Sequence, residues 1–422
     1  MNETTAAGPP SIPPFKLYVP GEGHPEWSRL FAEAAGLAAR VLKNTGPFTL
    51  RDRLARSRKR TGALFKTLAN LARNRRIAKS GSENFVPLFF IWTMTNACNF
   101  ICSYCSNHRG GKYPELFKQG LRENLSTEQG KRLITIMKAA TAIYFCGGEP
   151  TIRKDLPELL AHAHKEGMFN FINTNGALIG SLLEKPAYKD FLRQMDVIIV
   201  SLDGLNVKEL ARMYNANEGA AETVVRNIVA LWMLNKIFPF KLVVNVVICK
   251  ENITEARAVL DFCNDLGITF SPVSANIDNH PDHVLLADPG YLALVELILE
   301  RARQGYPMIA SAAMLDRLLH ARFKDCYPAV FNHIDHDGKA FWPCKSYPGA
   351  VKVDVLACKD ARELHAMGDE LVRVTGFHGE GPGKCGGSCA WMQDCVTEIY
   401  GRAAIQGIFK SGVLKEIRGL MK

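Results

Sequence analysis

The stretch "TNACNFICSYCSNHRG", residues 95–110, places Cys98, Cys102 and Cys105 within eight positions. It follows directly on "PLFFIWTMT" (87–95), an apolar run rich in aromatic and β-branched residues. Five more such runs come after it: "TAIYFC" (141–146), "FNFINT" (169–174), "DVIIVSL" (196–202), "KLVVNVVIC" (241–249) and "ITFSPVS" (268–274). Helical patterns separate them. "STEQGKRLITIMKAA" opens with a capping box of Ser126 and Gln129, while "DLPELLAHAHKEG" and "TEARAVLDFCNDLG" close on Gly167 and Gly267. Continuous apolar strands alternating with helices specify a parallel sheet covered on its outer face. Six units over about 190 residues predict a partial (β/α)6 TIM-like barrel, since a full eight-unit barrel takes roughly 250. In such folds the site lies at the carboxyl ends of the strands, where the cysteine triplet falls. An iron–sulfur cluster is normally held by four thiolates. A structural zinc site also wants a fourth protein ligand, for which His108 is the local candidate.

The spacing C-x3-C-x2-C, with Tyr104 just before the last cysteine, resembles the radical S-adenosylmethionine superfamily. The likeness extends over residues 86–275 through motifs at successive strand ends: "CGGEP" (146–150), "NTNG" (173–176) and "SLDG" (201–204), with Asn245 in the fifth strand. It implies an enzyme, an oxidoreductase or transferase, whose Cys98, Cys102 and Cys105 hold a 4Fe–4S cluster with one iron open. The amino and carboxylate groups of S-adenosylmethionine chelate that iron. Reductive cleavage then gives a 5′-deoxyadenosyl radical, which abstracts a substrate hydrogen. A reducing electron donor such as flavodoxin or ferredoxin is implied as a partner. Gly147 and Gly148 let backbone approach the methionyl group, and Glu149 can accept from its ammonium. Asn175 suits a turn over the cofactor, Ser201 and Asp203 offer polar atoms at ribose height, and Arg212 can pair with the methionyl carboxylate.

Beyond residue 307 the alternation is lost and cysteines return at 326, 344, 358, 385, 389 and 395. "GKAFWPCK" (338–345) and "CGGSCAWMQDC" (385–395) resemble, with altered spacing, the SPASM/twitch subgroup, which carries an auxiliary iron–sulfur cluster. The resemblance implies one auxiliary 4Fe–4S cluster held by Cys326, Cys344 and Cys385, with Cys389 or Cys395 as the fourth ligand. A zinc staple is the alternative. Twelve cysteines in a chain without a secretory pattern read as metal ligands or thiols, not disulfides.

Residues 51–80 hold eleven lysines and arginines against one aspartate, a net charge equal to the +10 of the whole chain. Around them the spacing predicts two amphipathic helices. One buries Leu30, Phe31, Ala34, Leu37, Ala38, Val41 and Leu42, the other Leu64, Phe65, Leu68, Leu71 and Ala72. Aromatics interleaved for base stacking are missing, so nucleic acid is not expected as a partner. The organisation read from sequence is a disordered lead (1–26), a basic helical arm (27–85), the barrel (86–280) and a C-terminal cluster module (281–422). A cytoplasmic protein is expected, with the arm in peripheral contact with an anionic membrane and a chain starting near residue 84 folding without it. An interfacial arm points to net oxidation of a lipophilic small molecule such as a lipid, terpenoid or tetrapyrrole. The SPASM/twitch likeness points instead to peptide modification, although no winged peptide-clasping domain is legible before the barrel. A non-catalytic iron–sulfur carrier or redox sensor is the reading from another class.

Overall fold

The structure is a computed structural model that describes residues 23–82, 84–105, 124–277, 280–322, 326–347, 349–371 and 392–406. Its centre is a nine-stranded sheet. Six strands, β1 (Phe89–Thr93), β2 (Ala142–Cys146), β3 (Phe169–Thr174), β4 (Val197–Ser201), β5 (Lys241–Ile248) and β6 (Thr269–Ser274), lie side by side in chain order. Every neighbouring pair among them is parallel. The expected partial barrel is therefore present, with its six strands where the apolar runs placed them. Helices Leu156–Lys165, Glu218–Asn235 and Ile253–Leu266 cover the outer face, and the Ser126–Gln129 capping box forms as read.

The C-terminal segment was expected to leave this alternation, and it does so without leaving the sheet. After a short ribbon, β7 (Asn276–Ile277) with β8 (His280–Pro281), three further strands follow: β9 (Phe331–Ile334), β10 (Lys339–Trp342) and β11 (Val351–Asp354). β9 pairs parallel with β1, and β10 and β11 continue antiparallel from it. Barrel and C-terminal segment thus share one sheet. Alternate strand positions form its concave face, where Val197, Ile199 and Val243 pack with Tyr144, Phe171 and Ile309 as a cluster separate from the main core.

Two helices precede the sheet. α1 (Trp27–Thr45) ends on Gly46 and packs on helix Glu218–Asn235, burying Leu30, Phe31, Ala34, Leu37, Ala38 and Val41 as the periodicity predicts. α2 (Leu50–Lys79) opens with the capping box of Thr49 and Asp52. It buries a different face from the one read in the sequence. Phe65 is 66% exposed, and of the predicted stripe only Leu71 is fully buried. The inward residues are Arg56, Ala63, Thr67, Asn70, Leu71 and Asn74. They meet the segments that lead into the strands. Asn74 exchanges two hydrogen bonds with the Val86 backbone (2.9 and 2.7 Å), and Asn70 donates to Ala139 O (2.8 Å). Thr67 donates to Thr141 Oγ1 (3.1 Å), and Arg56 Nη1 donates to Met195 O (3.0 Å). Lys59 Nζ donates to Asp196 Oδ2 (2.5 Å), which also accepts from Asn170 N (2.9 Å). The helix therefore lies across the amino-terminal ends of β1, β2 and β4. Hydrophobic periodicity missed this face because much of the surface it covers is backbone, which needs polar partners when buried, although the helix also packs on helix Met392–Gln406. No helix among the described residues is long and apolar enough to cross a membrane.

Asp196 is 2% exposed at its side chain and faces two cations that are 7% exposed. Removing one partner of such a buried group leaves charge uncompensated, so Asp196→Asn is expected to lower unfolding free energy by about 3–5 kcal/mol in urea titrations. A chain beginning at residue 84 is expected to aggregate on expression, because the strand-leading segments lose their cover. A soluble, cooperatively folding truncated chain would show that α2 is dispensable.

Candidate functional site

The carboxyl end of β1 runs straight into the cysteine loop. Two walls hold the loop. On one, Ile101 N donates to Tyr214 O (3.1 Å) and Ser103 N to Met213 O (2.9 Å), at the end of helix Val207–Tyr214. Phe100 stacks on Tyr214 with ring centroids 5.0 Å apart. On the other wall the "GGE" backbone continues the strand pairing beyond the sheet. Gly148 N donates to Thr95 O and Glu149 N to Ala97 O, both at 2.7 Å. The glycines permit this approach. A Cβ on Gly148 would sit 2.3 Å from Ala97 O, and one on Gly147 2.4 Å from Thr95 O. Arg153 fixes the same corner by donating to Met94 O and Leu125 O, each at 2.9 Å.

Within this frame Cys98 is buried and Cys102 and Cys105 are half-buried. The three thiols feel one another's charge. Burial pushes Cys98 up to about 12, with the Glu149 carboxylate adding, and raises Cys102 well above the usual thiol range. Glu149 is wholly buried. Its Oε1 accepts from Thr151 N (3.0 Å), Thr151 Oγ1 (2.5 Å) and Thr174 Oγ1 (2.7 Å), and its Oε2 from Asn175 N (2.7 Å). The side chain thus ties the end of β2 to the end of β3. Asn175 Nδ2 donates to Asn99 Oδ1 (2.8 Å) and lies 3.6 Å from Cys98 Sγ.

Asp203 forms the second tie. It accepts from the Tyr104 hydroxyl within the cysteine loop and, at Oδ1, from Val247 N (2.7 Å). Burial pushes its carboxyl up to about 6. Asn245 Oδ1 accepts from Ser271 (3.2 Å) and pairs in register with Ser201, both half-buried. Cys98, Cys102, Tyr104, Cys105, Gly147, Gly148, Glu149, Asn175, Ser201, Asp203 and Asn245 are therefore all at the carboxyl end of the sheet. Arg212 is exposed on its helix, beside the carbonyls that hold the loop.

The Radical SAM superfamily model matches residues 92–263, the segment that spans this frame. Residues 92–263 are a radical SAM domain. Over 140 residues the chain is 36% identical to an Fe-coproporphyrin III synthase of Methanosarcina barkeri, covering 33% of this chain and 32% of that one. Over 108 residues it is 37% identical to a PqqA peptide cyclase of Rhodopseudomonas palustris, covering 24% of this chain and 27% of that one. The chain thus spans under a third of the length of either relative. In fold it is similar to Streptococcus suis SuiB bound to S-adenosylmethionine, with a TM-score of 0.53 at 16% identity, over 76% of this chain and 75% of that one. These likenesses accord with the SPASM/twitch subgroup.

A radical SAM domain uses a 4Fe–4S cluster and S-adenosylmethionine, and the donor set fits. Burial favours the protonated thiol at Cys98 and Cys102, and a bound metal would supply the positive charge that favours the thiolate. In the C-terminal segment Cys326 and Cys344 are half-buried. Cys326 precedes β9, and the antiparallel return of β10 brings Cys344 to the same end of that pair. Thr397 donates to Cys326 Sγ (3.5 Å), so helix Met392–Gln406 reaches this place too. Cys385 and Cys389 lie outside the described residues, as does the side chain of Cys395. Cys249, Cys263 and Cys358 are buried.

Sequence reasoning passed over the concave face below the triplet. Tyr144, Cys146, Phe171, Asn173 and His333 occupy alternate strand positions there. Burial, with Lys345 nearby, pushes His333 down to about 3, so it is neutral at pH 7. The two-residue period of the apolar runs was the available signal.

Gly148→Ala is expected to retain its far-UV circular dichroism but to lose the iron of the triplet, since Ala97 must move and Cys98 moves with it. Glu149→Gln sets an amide against the Asn175 N–H and is expected to cost about 1–3 kcal/mol of stability even without cofactor. Unchanged cofactor-free stability in Glu149→Gln would limit that side chain to contact with ligand.

Proposed function

We propose that the chain is a radical S-adenosylmethionine enzyme that modifies a peptide. Cys98, Cys102 and Cys105 hold the cluster and leave one iron for the methionyl group. When bound, cluster and cofactor supply a 5′-deoxyadenosyl radical able to take hydrogen from an unactivated carbon. The protein's residues position and enclose. Gly147 and Gly148 hold the cysteine loop at contact distance, Glu149 and Asn175 fix the β2–β3 corner, and Tyr104 with Asp203 anchors the loop's far side. Glu149 Oε2, with one donor, keeps capacity for the ammonium. Ser201 and Asn245 stand on the adjoining strands for polar contact with the cofactor, and Arg212 is the candidate carboxylate partner. Cys326 and Cys344, with Cys385 and either Cys389 or Cys395, form the auxiliary site.

The observation that carries this reading is the gathering of three mutually interacting thiols, one buried and two half-buried, on a loop locked by the "GGE" backbone. A passive carrier has no use for a second loop pressed against its ligands. The peptide reading draws on the cyclase relative and on the concave face, where half-buried Tyr144 and Phe171 lie near Asn173, whose Oδ1 is buried with no hydrogen-bond partner among the described residues. Such a surface offers aromatic contact and a receptor for an amide N–H. The synthase relative favours a tetrapyrrole as the second reading, against the same aromatic floor. A lipid substrate rested on the apolar face of α2, and Leu71 of that face is turned into the protein. A reducing donor of flavodoxin or ferredoxin type completes the reaction.

Anaerobically reconstituted protein is expected to bind about eight irons and to form 5′-deoxyadenosine when reduced, while replacing all three triplet cysteines with Ala leaves about half the iron and abolishes cleavage. Cleavage persisting in that variant would overturn the assignment. A precursor peptide that accelerates 5′-deoxyadenosine formation supports the peptide reading. Acceleration by a tetrapyrrole instead would replace it.

A further inference from the structure

A cleft of about 470 Å³ opens between α2 and the turn that leads into β5. Four cations line it, Arg53, Arg56, Arg60 and Lys236, beside apolar walls that include Leu64 and Ile237, and none of its described lining residues is acidic. The nearby carboxylates compensate these cations only in part. Asp196 serves Lys59 and, at 3.7 Å, Arg56, while Asp52 accepts from Thr49 and Arg193. Arg56 is 7% exposed, and its Nε and Nη2 are buried with no hydrogen-bond partner among the described residues. Arg60 Nε is buried and unpartnered in the same sense, although its Nη2 donates to Pro239 O (3.2 Å).

Buried guanidinium donors without acceptors are costly, and their planar forks match the oxygens of phosphate in pairs. One doubly charged group would answer several of these cations together. The apolar walls leave room for an organic body beside it. The cleft lies at the amino-terminal ends of the strands, at the opposite end of the sheet from the cysteine triplet, so the radical chemistry does not account for it. We propose that this cleft is a binding site for a phosphate-bearing anion. The same chemistry can come from a soluble phosphate ester or from a lipid headgroup. Leu50, Leu54 and Phe65 are 72%, 53% and 66% exposed on the same helix, which makes the headgroup a source to be tested directly.

The test uses the full reconstituted chain in two arms. Inorganic pyrophosphate is titrated by calorimetry, and vesicles of phosphatidic acid in phosphatidylcholine are used for co-sedimentation. Arg53→Gln combined with Lys236→Gln removes two lining cations while sparing Arg56, which also serves the fold. Saturable binding of pyrophosphate that weakens about tenfold or more in this variant supports the site. Vesicle binding lost in the same variant supports it with a headgroup as the source. Arg75→Gln removes an exposed charge elsewhere on α2 and is expected to change neither arm. No saturable binding in either arm, or equal loss in Arg75→Gln, would overturn the proposal.

Discussion

The absence of room for a Cβ between residues 147–148 and residues 95–97 is the constraint on which the site depends. Two backbones can approach this closely only as a ladder, and only glycine admits it. The ladder prolongs the β1–β2 pairing past the strand ends, so the position of Cys98 is set by the sheet and not by a free loop. From that contact the frame spreads sideways. Glu149 passes it to β3 through Thr174 and Asn175, and Tyr104 passes it through Asp203 to β4 and to Val247 of β5. Each tie is a short, charge-assisted bond in a buried place, where it is stronger than in water. A loop with three cysteines is thereby held by four strands. Such a frame is the preorganisation that the proposed cofactor-dependent reaction asks of its protein.

Much of this was legible, for physical reasons that differ from element to element. The six barrel strands announced themselves because each is buried on its outer face by helices and carries β-branched or aromatic residues. The triplet and "GGEP" were legible because the metal ligation proposed for the one and the close backbone approach seen in the other each demand one residue type. The roles within the site were less so. Glu149 looks in sequence like a free acceptor for ammonium, and the structure gives it four donors, two from Thr151 in a local cap and two from Thr174 and Asn175, which no spacing rule connects to it. β9, β10 and β11 were not found because "FNHI", "KAFW" and "VKVD" are four residues each and lack a continuous apolar run. β9 exists because β1 offers an open edge, a partner more than two hundred positions away in the chain.

α2 shows a limit of amphipathic reasoning. The usual argument assumes that a buried helix face meets side chains. This helix meets the backbone leading into parallel strands, where carbonyls and amides have not yet found their sheet partners. Burying them under leucine would leave polar groups unsatisfied at about 1–3 kcal/mol each, so asparagine, threonine and arginine are the residues that fit. The polar inner face in turn leaves Leu50, Leu54 and Phe65 on the outside, and a helix that would read as partly inside-out is consistent with its place.

The same placement explains where the charge of the chain resides. Arg56 and Lys59 are drawn inward as hydrogen-bond donors to strand-leading segments, and each brings a full positive charge into a place of low polarity. Asp196 compensates them only in part: burial still pushes Arg56 down to about 10, and the neighbouring Arg60 charge adds to it. A fold that uses cations as backbone donors therefore accumulates positive potential at the amino-terminal end of its sheet, where the cleft opens. The carboxyl end collects acidic groups instead. Three thiols, Glu149 and Asp203 gather there, and burial raises the proton affinities of Cys98, Cys102, Glu149 and Asp203, with like charge adding at the two thiols. The two ends of the strands thus carry different ionisable groups, arginines and lysines at the amino-terminal end and buried thiols and carboxyls at the carboxyl end, and the sheet keeps the two sets apart.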